Sequence, residues 1–137
     1  MHSFQLPASI ENFVRLRTFA REFCNRASVD SELSHRLLLV LEELFTNTVK
    51  HGYRGADGVV RVELKQIPGY ISIVYEDAAP PFDPLNAVSV DPEITVSKGR
   101  VGGMGLPLIR KMADLLTYER QEPWNRIAIL LRIPESA

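Results

Sequence analysis

The chain has 137 residues, enough for one domain with a hydrophobic core of its own. Hydrophobic residues make up 45% and charged residues 24%, the balance of a folded chain rather than a disordered one. With a formal net charge of -1 it lacks the broad basic field that grips DNA, RNA or an anionic membrane.

Ser3 to Leu6 alternates weakly, which predicts a short edge strand before Pro7. Ser9 is the expected N-cap of a first helix, with Glu11 in its first turn and Ile10, Phe13, Val14, Leu16, Phe19, Ala20 and Phe23 at helical spacing. Cys24, the sole cysteine, excludes an intrachain disulfide and a cysteine-rich zinc site, and reads as a buried apolar residue. Asp30 and Ser31 precede a second helix, with Leu33, Leu37, Val40, Leu41, Leu44, Phe45 and Val49 apolar and Gly52 at its end. Val59 to Ile67 and Tyr70 to Tyr75 flank Pro68-Gly69, which predicts a β-hairpin.

Asp77 to Val101 is proline-rich without periodicity, the pattern of a functional lid or a disordered segment. Gly102, Gly103 and Gly105 precede an expected third helix through Leu108, Ile109, Met112 and Leu115, with Pro107 near its start. Leu116 to Glu119 and Ile127 to Ile133 predict a closing strand pair, with Trp124 in the polar turn between them. The order is β-α-α-β-β-lid-α-β-β. It predicts an α+β two-layer sandwich, a single domain over 1–137 with helices on one face of a mixed, mostly antiparallel sheet. Met1 to Pro7 shows no signal peptide and no apolar run reaches spanning length, so a cytoplasmic location away from membranes is expected.

Three segments carry candidate chemistry. On the second helix, Glu43, Asn47, Lys50 and His51 fall three and four apart and predict one polar ridge. Such a ridge can hold hydrated magnesium and orient a nucleophile; it can equally be a solvated helix face with a Glu43–Asn47 hydrogen bond. Asp77 stands where an apolar strand stops, followed by Ala78-Ala79-Pro80-Pro81-Phe82-Asp83-Pro84. A carboxylate there can accept from an amino group such as that of adenine, or simply cap a turn. Gly102, Gly103, Met104, Gly105 and Leu106 precede a helix, where bare backbone N–H groups can approach phosphate. Lys98 and Arg100 lie within reach of outer phosphates on charge and position. His2 and His35 have no partners at metal spacing.

In that order the three segments resemble the GHKL ATPase superfamily, and within it the RsbW-like anti-sigma-factor serine kinases. Glu43…Asn47…His51-Gly52-Tyr53 resembles the N box, and Asp77 to Pro84 the first glycine box. Gly102 to Leu106, with Ile109 to Asp114, resembles the second box, and Tyr118-Glu119-Arg120 with Asn125 the final hairpin. The resemblance implies that Asn47 holds Mg2+, Glu43 is the general base and Asp77 binds the adenine of ATP. The nucleotide site would also include Lys50, His51, Ala79, Pro81, Asn125 and the 102–106 segment, under a lid of about 83–101. It further implies partner switching. A homodimer would restrain a sigma factor and phosphorylate a serine on an anti-sigma antagonist of STAS type, with a non-catalytic binding module as the alternative. Ala79 departs from the family's glycine; a backbone requiring φ > 0 there would cost an alanine on the order of 1 kcal/mol.

Overall fold

The computed structural model describes residues 2–81 and 105–135. In chain order it forms β1 (His2–Pro7), a 3-10 turn (Ile10–Asn12), α1 (Phe13–Arg26) and α2 (Ser31–Asn47). A π turn (Thr48–Gly52), β2 (Val59–Ile67), β3 (Tyr70–Asp77), α3 (Gly105–Met112), β4 (Leu115–Gln121) and β5 (Trp124–Arg132) follow. The described strands make one five-stranded sheet in the order β1-β2-β3-β5-β4, with each neighbouring pair antiparallel. Thus the described sheet carries none of the mixed pairing that the sequence suggested.

Alternation sets the buried face. On β2 it is Val60, Val62 and Leu64; on β3, Ile71, Ile73 and Tyr75; on β5, Ile127, Ile129 and Leu131. These side chains meet Leu16, Ala20 and Phe23 of α1 and Leu37, Leu41, Leu44 and Phe45 of α2 in one core. The opposite sheet face is polar at its end: Glu76 accepts from Arg126 and pairs with Arg61, both at 3.5 Å. The Arg61 guanidinium lies 4.3 Å from the centre of the Trp124 ring.

Local chemistry explains where the chain departs from its periodicity. Asp30 caps α2, its Oδ1 accepting from Leu33 N–H at 2.8 Å. Ser9 is extended and makes no side-chain cap; its Oγ accepts from Asn12 Nδ2 at 2.6 Å, and a 3-10 turn intervenes before α1. Within α1, Leu16, Ala20, Phe23 and Cys24 share the buried face at about 100° per residue, and Val14 falls well away from it. Ile10 and Val14 are left 50% and 61% exposed. Burial pushes the Cys24 thiol up, opposed by a hydrogen bond with Ser34, as expected of an inert core residue. Trp124 is not in a polar turn. It opens β5 opposite Gln121 and is half-buried, the turn being Glu122-Pro123. Among the described residues no helix is long and apolar enough to cross a membrane.

Candidate functional site

Three apolar stripes each end in a polar residue at the same edge of the core. On β3 the inward series Ile71, Ile73, Tyr75 ends in Asp77; on β5 the series Leu131, Ile129, Ile127 ends in Asn125. Asp77 and Asn125 are directly opposed in the antiparallel register. On α2 the stripe Leu37, Leu41, Leu44 runs on to Thr48, the first residue of the π turn. Asp77, Asn125 and Thr48 are 9%, 4% and 3% exposed, so each needs a partner.

They partner one another. Thr48 Oγ1 donates to Asp77 Oδ2 at 2.8 Å, and Asn125 Nδ2 donates to Asp77 Oδ1 at 2.8 Å. The Ala79 N–H adds a longer bond to Oδ1 at 3.3 Å. Tyr75 Oη lies 2.6 Å from Thr48 Oγ1. Asn125 Nδ2 also lies 3.1 Å from both the Ala79 and the Pro80 carbonyl oxygens. Its Oδ1 accepts from Tyr118 Oη at 2.7 Å and Arg120 Nη1 at 3.2 Å, and Arg120 Nη1 donates to the Ala79 carbonyl at 2.9 Å. The chain beyond β3 is thereby tied to β4 and β5 by side chains.

A pocket opens above this cluster. It is lined by Leu44, Asn47 and Thr48, by His51 and Gly52 of the π turn, and by Tyr75 and Asp77 of β3. Ala79, Asn125 and Ile127 complete it. It is a largely apolar pocket with one buried carboxylate among its lining, the pattern of small-molecule sites that fix orientation with a few polar groups. Asn47 Nδ2 is buried and, among the described residues, without a hydrogen-bond partner. A buried amide N–H without an acceptor is a standing cost that a ligand can remove.

Tyr53 holds the two sides at fixed spacing. Its hydroxyl donates to the Val59 carbonyl at 2.7 Å and accepts from the Ala78 N–H at 2.7 Å. A Cβ on Gly58 would come within 2.3 Å of its ring, which is why glycine stands there. Burial pushes the Tyr53 phenol up, offset by the Ala78 bond and reinforced by the Asp77 charge. Burial pushes the Tyr75 phenol well above its ordinary 10.0; the Thr48 bond opposes this, and Asp77 and Tyr53 add to it.

Of the residues singled out from sequence, the structure brings Asn47, His51, Asp77, Ala79 and Asn125 to this pocket. Glu43 is half-buried one helical turn before Asn47, outside the lining, and makes no hydrogen bond to it. Lys50 is exposed and also outside, because the Tyr53 N–H to Thr48 carbonyl bond at 2.8 Å widens this turn and rotates Lys50 off the ridge. Pro81 is exposed and outside the lining. Gly105 and Leu106 begin α3, whereas Lys98, Arg100, Gly102, Gly103, Met104 and the 83–101 lid lie outside the described residues. Ala79 is not among the positive-φ residues, so its methyl carries no left-handed strain. The sequence reading missed Thr48, Tyr75 and the pinning roles of Arg120 and Tyr118. Thr48 had left a signal: it is a polar residue continuing an apolar helical stripe.

The profile of the histidine kinase-like ATPase domain matches residues 6–130. The chain belongs to that family. Within it, the chain is 27% identical over 100 residues to the serine/threonine-protein kinase BtrW of Bordetella bronchiseptica, covering 72% of this chain and 70% of BtrW. It is 26% identical over 123 residues to the serine-protein kinase RsbW of Staphylococcus aureus, covering 85% of this chain and 77% of RsbW. The family's fold recurs in the RsbU and RsbW domains of Rv1364c from Mycobacterium tuberculosis, with TM-score 0.66 and 15% identity. That match covers all of this chain but about a third of the mycobacterial one, 34%. It recurs too in the SiaB-SiaC complex of Pseudomonas aeruginosa, with TM-score 0.65, 14% identity, and coverage of 96% and 89%. These likenesses establish an RsbW-like member of an ATP-binding family.

Proposed function

We propose that the chain is an ATP-dependent protein serine kinase of the partner-switching type, acting on an anti-sigma antagonist. The observation that carries the reading is the buried Asp77 carboxylate in a largely apolar pocket that the Asn47 side chain, with its unpartnered Nδ2, also lines. Asp77 would accept from the adenine amino group, and the apolar walls of Leu44 and Ile127 would sandwich the ring. No cluster of three His, Cys, Asp or Glu residues suited to a metal occurs among the described residues. Asn47 lines the pocket, and its amide oxygen would hold Mg2+ together with phosphate oxygens and water, as that ion is usually held in phosphoryl-transfer sites. When bound, Mg2+ would neutralise charge on the phosphate oxygens. Glu43, one turn from Asn47 and free of hydrogen bonds among the described residues, would take the proton of the target serine hydroxyl. Similarity to BtrW and RsbW supports the kinase assignment. The likeness to a structure solved as a SiaB-SiaC complex supports a protein partner.

On this reading a sigma factor or similar regulator is the second partner, the working unit is a homodimer, and the protein acts in the cytoplasm as one domain. Glu43→Gln tests it. The variant should bind ATP within about twofold of wild type yet lose at least about a hundredfold in phosphate transfer to the antagonist. Retained transfer would remove Glu43 as base. A second reading, a non-catalytic binding module, draws on Ala79, whose buried methyl stands in the pocket wall where the family has glycine. Wild-type protein that binds ATP and transfers nothing to any antagonist would select it.

A further inference from the structure

The proton count around Thr48 has one arrangement that satisfies every buried group. Thr48 Oγ1 carries one hydrogen and has two acceptors within reach, Asp77 Oδ2 at 2.8 Å and the Leu44 carbonyl at 3.1 Å. Tyr75 Oη, fully buried, lies near Thr48 Oγ1 and has no other hydrogen-bond partner among the described residues. If Thr48 turned its hydrogen toward Tyr75, the phenol proton would be left unpaired in the core. If it turned to Leu44, Asp77 Oδ2 would lose its donor. The satisfied chain is therefore Tyr75 O–H to Thr48 Oγ1, and Thr48 O–H to Asp77 Oδ2. Each donor in such a chain polarises the next.

Asp77 is then held from both sides, Oδ2 by Thr48 and Oδ1 by Asn125 and the Ala79 N–H. A carboxylate offers about four acceptor directions, and Oδ1 has spent both of its own. The remaining direction belongs to Oδ2. That oxygen lies toward Gly52, where a side-chain Cβ would sit 3.9 Å from it. One acceptor facing the pocket favours a ligand edge that carries a donor and opposes one that carries a carbonyl oxygen.

We propose that Thr48 and Tyr75 are positioning residues for Asp77, and that together they make the pocket select 6-aminopurine over 6-oxopurine nucleotides. The proposal rests on the nucleotide reading above but is separable from it. ATP supplies the amino donor. ITP has a 6-oxo acceptor in place of the amino group and its donor moved to N1, so at position 6 it offers an aligned Asp77 an oxygen rather than an N–H. Losing the alignment should weaken ATP and spare ITP.

The test is calorimetry of the full chain with ATP, and with ITP by competition, for wild type, Thr48→Val, Thr48→Ser and Tyr75→Phe. Thr48→Val should weaken ATP about tenfold, the worth of one charge-assisted hydrogen bond, and leave ITP within about twofold. Tyr75→Phe should act in the same direction by roughly threefold, since Thr48 keeps its own proton but loses the one that orients it. Thr48→Ser should restore ATP binding. An equal fall for ATP and ITP would mean that Thr48 only supports the fold, and an unchanged ATP affinity in Thr48→Val would end the proposal while leaving the nucleotide site standing. No ATP binding by wild type would take away the site itself and this proposal with it.

Discussion

Replacing Asp77 by asparagine swaps one carboxylate oxygen for an NH2 group at almost constant volume. The environment decides which. The Oδ1 position faces two donors, Asn125 Nδ2 at 2.8 Å and the Ala79 N–H, and an NH2 there would oppose both. At the Oδ2 position Thr48 can turn its hydrogen to the Leu44 carbonyl and accept instead. The amide therefore places its NH2 at Oδ2, and the surrounding bonds become neutral ones. Each charge-assisted bond lost costs about 1 kcal/mol relative to its neutral replacement, so two of them lower stability by about 2 kcal/mol. In a chain of this size that is a fall in Tm of roughly 4–10 °C.

Binding should suffer more than folding. The NH2 now facing the pocket is a donor set against the donor of an adenine amino group. Loss of the bond plus the unfavourable contact costs about 3 kcal/mol, which is an affinity loss on the order of a hundredfold. Calorimetry with ATP measures the affinity and differential scanning calorimetry the Tm. ATP binding within about threefold of wild type, in a variant whose Tm has fallen as stated, would refute Asp77 as the base-reading acceptor.

Two further outcomes follow from other groups in the pocket. Asn47→Leu removes a buried amide that lacks a partner among the described residues, so stability should hold or rise by about 1 kcal/mol while the magnesium dependence of ATP binding disappears. Tyr75, held neutral by burial well above the ordinary 10.0, makes the folded state bind a proton that the unfolded state releases. Stability should be full below pH 10 and fall as pH rises above it, and Tyr75→Phe should flatten that fall in urea melts taken at several alkaline pH values.

The sheet and helices were legible because their periods are clean. Val60 to Leu64 and Ile71 to Tyr75 alternate with period two, and α2 repeats Leu37, Leu41, Leu44 at helical spacing. Phase shifts were not legible. Ile10 falls in the 3-10 turn outside α1, Val14 lies on the face of α1 away from its buried stripe, and the π turn at Thr48–Gly52 carried Lys50 off its expected ridge. Neither turn has a sequence signature that periodicity detects. Within the site, Asp77 was readable as an acid at the end of an apolar strand. Asn125 was assigned to a turn because β5 begins with Trp124 and Asn125 before its apolar run, and only cross-strand register reveals that it faces Asp77. Tyr75 was hidden by its own hydrophobicity, since an aromatic residue in an inward strand position looks like core until its hydroxyl finds a partner.

Tyr53 has a consequence for how a ligand enters. One phenol bonded to the start of β2 and to the residue after Asp77 spans the gap between the end of α2 and the edge of the sheet. The two jaws of the pocket are therefore gauged before anything arrives. A flat ring meeting a gap of preset width loses its own freedom and displaces solvent, but it need not spend binding energy on drawing these jaws together. A ring that fits would then be bound as by a rigid template, against fixed walls.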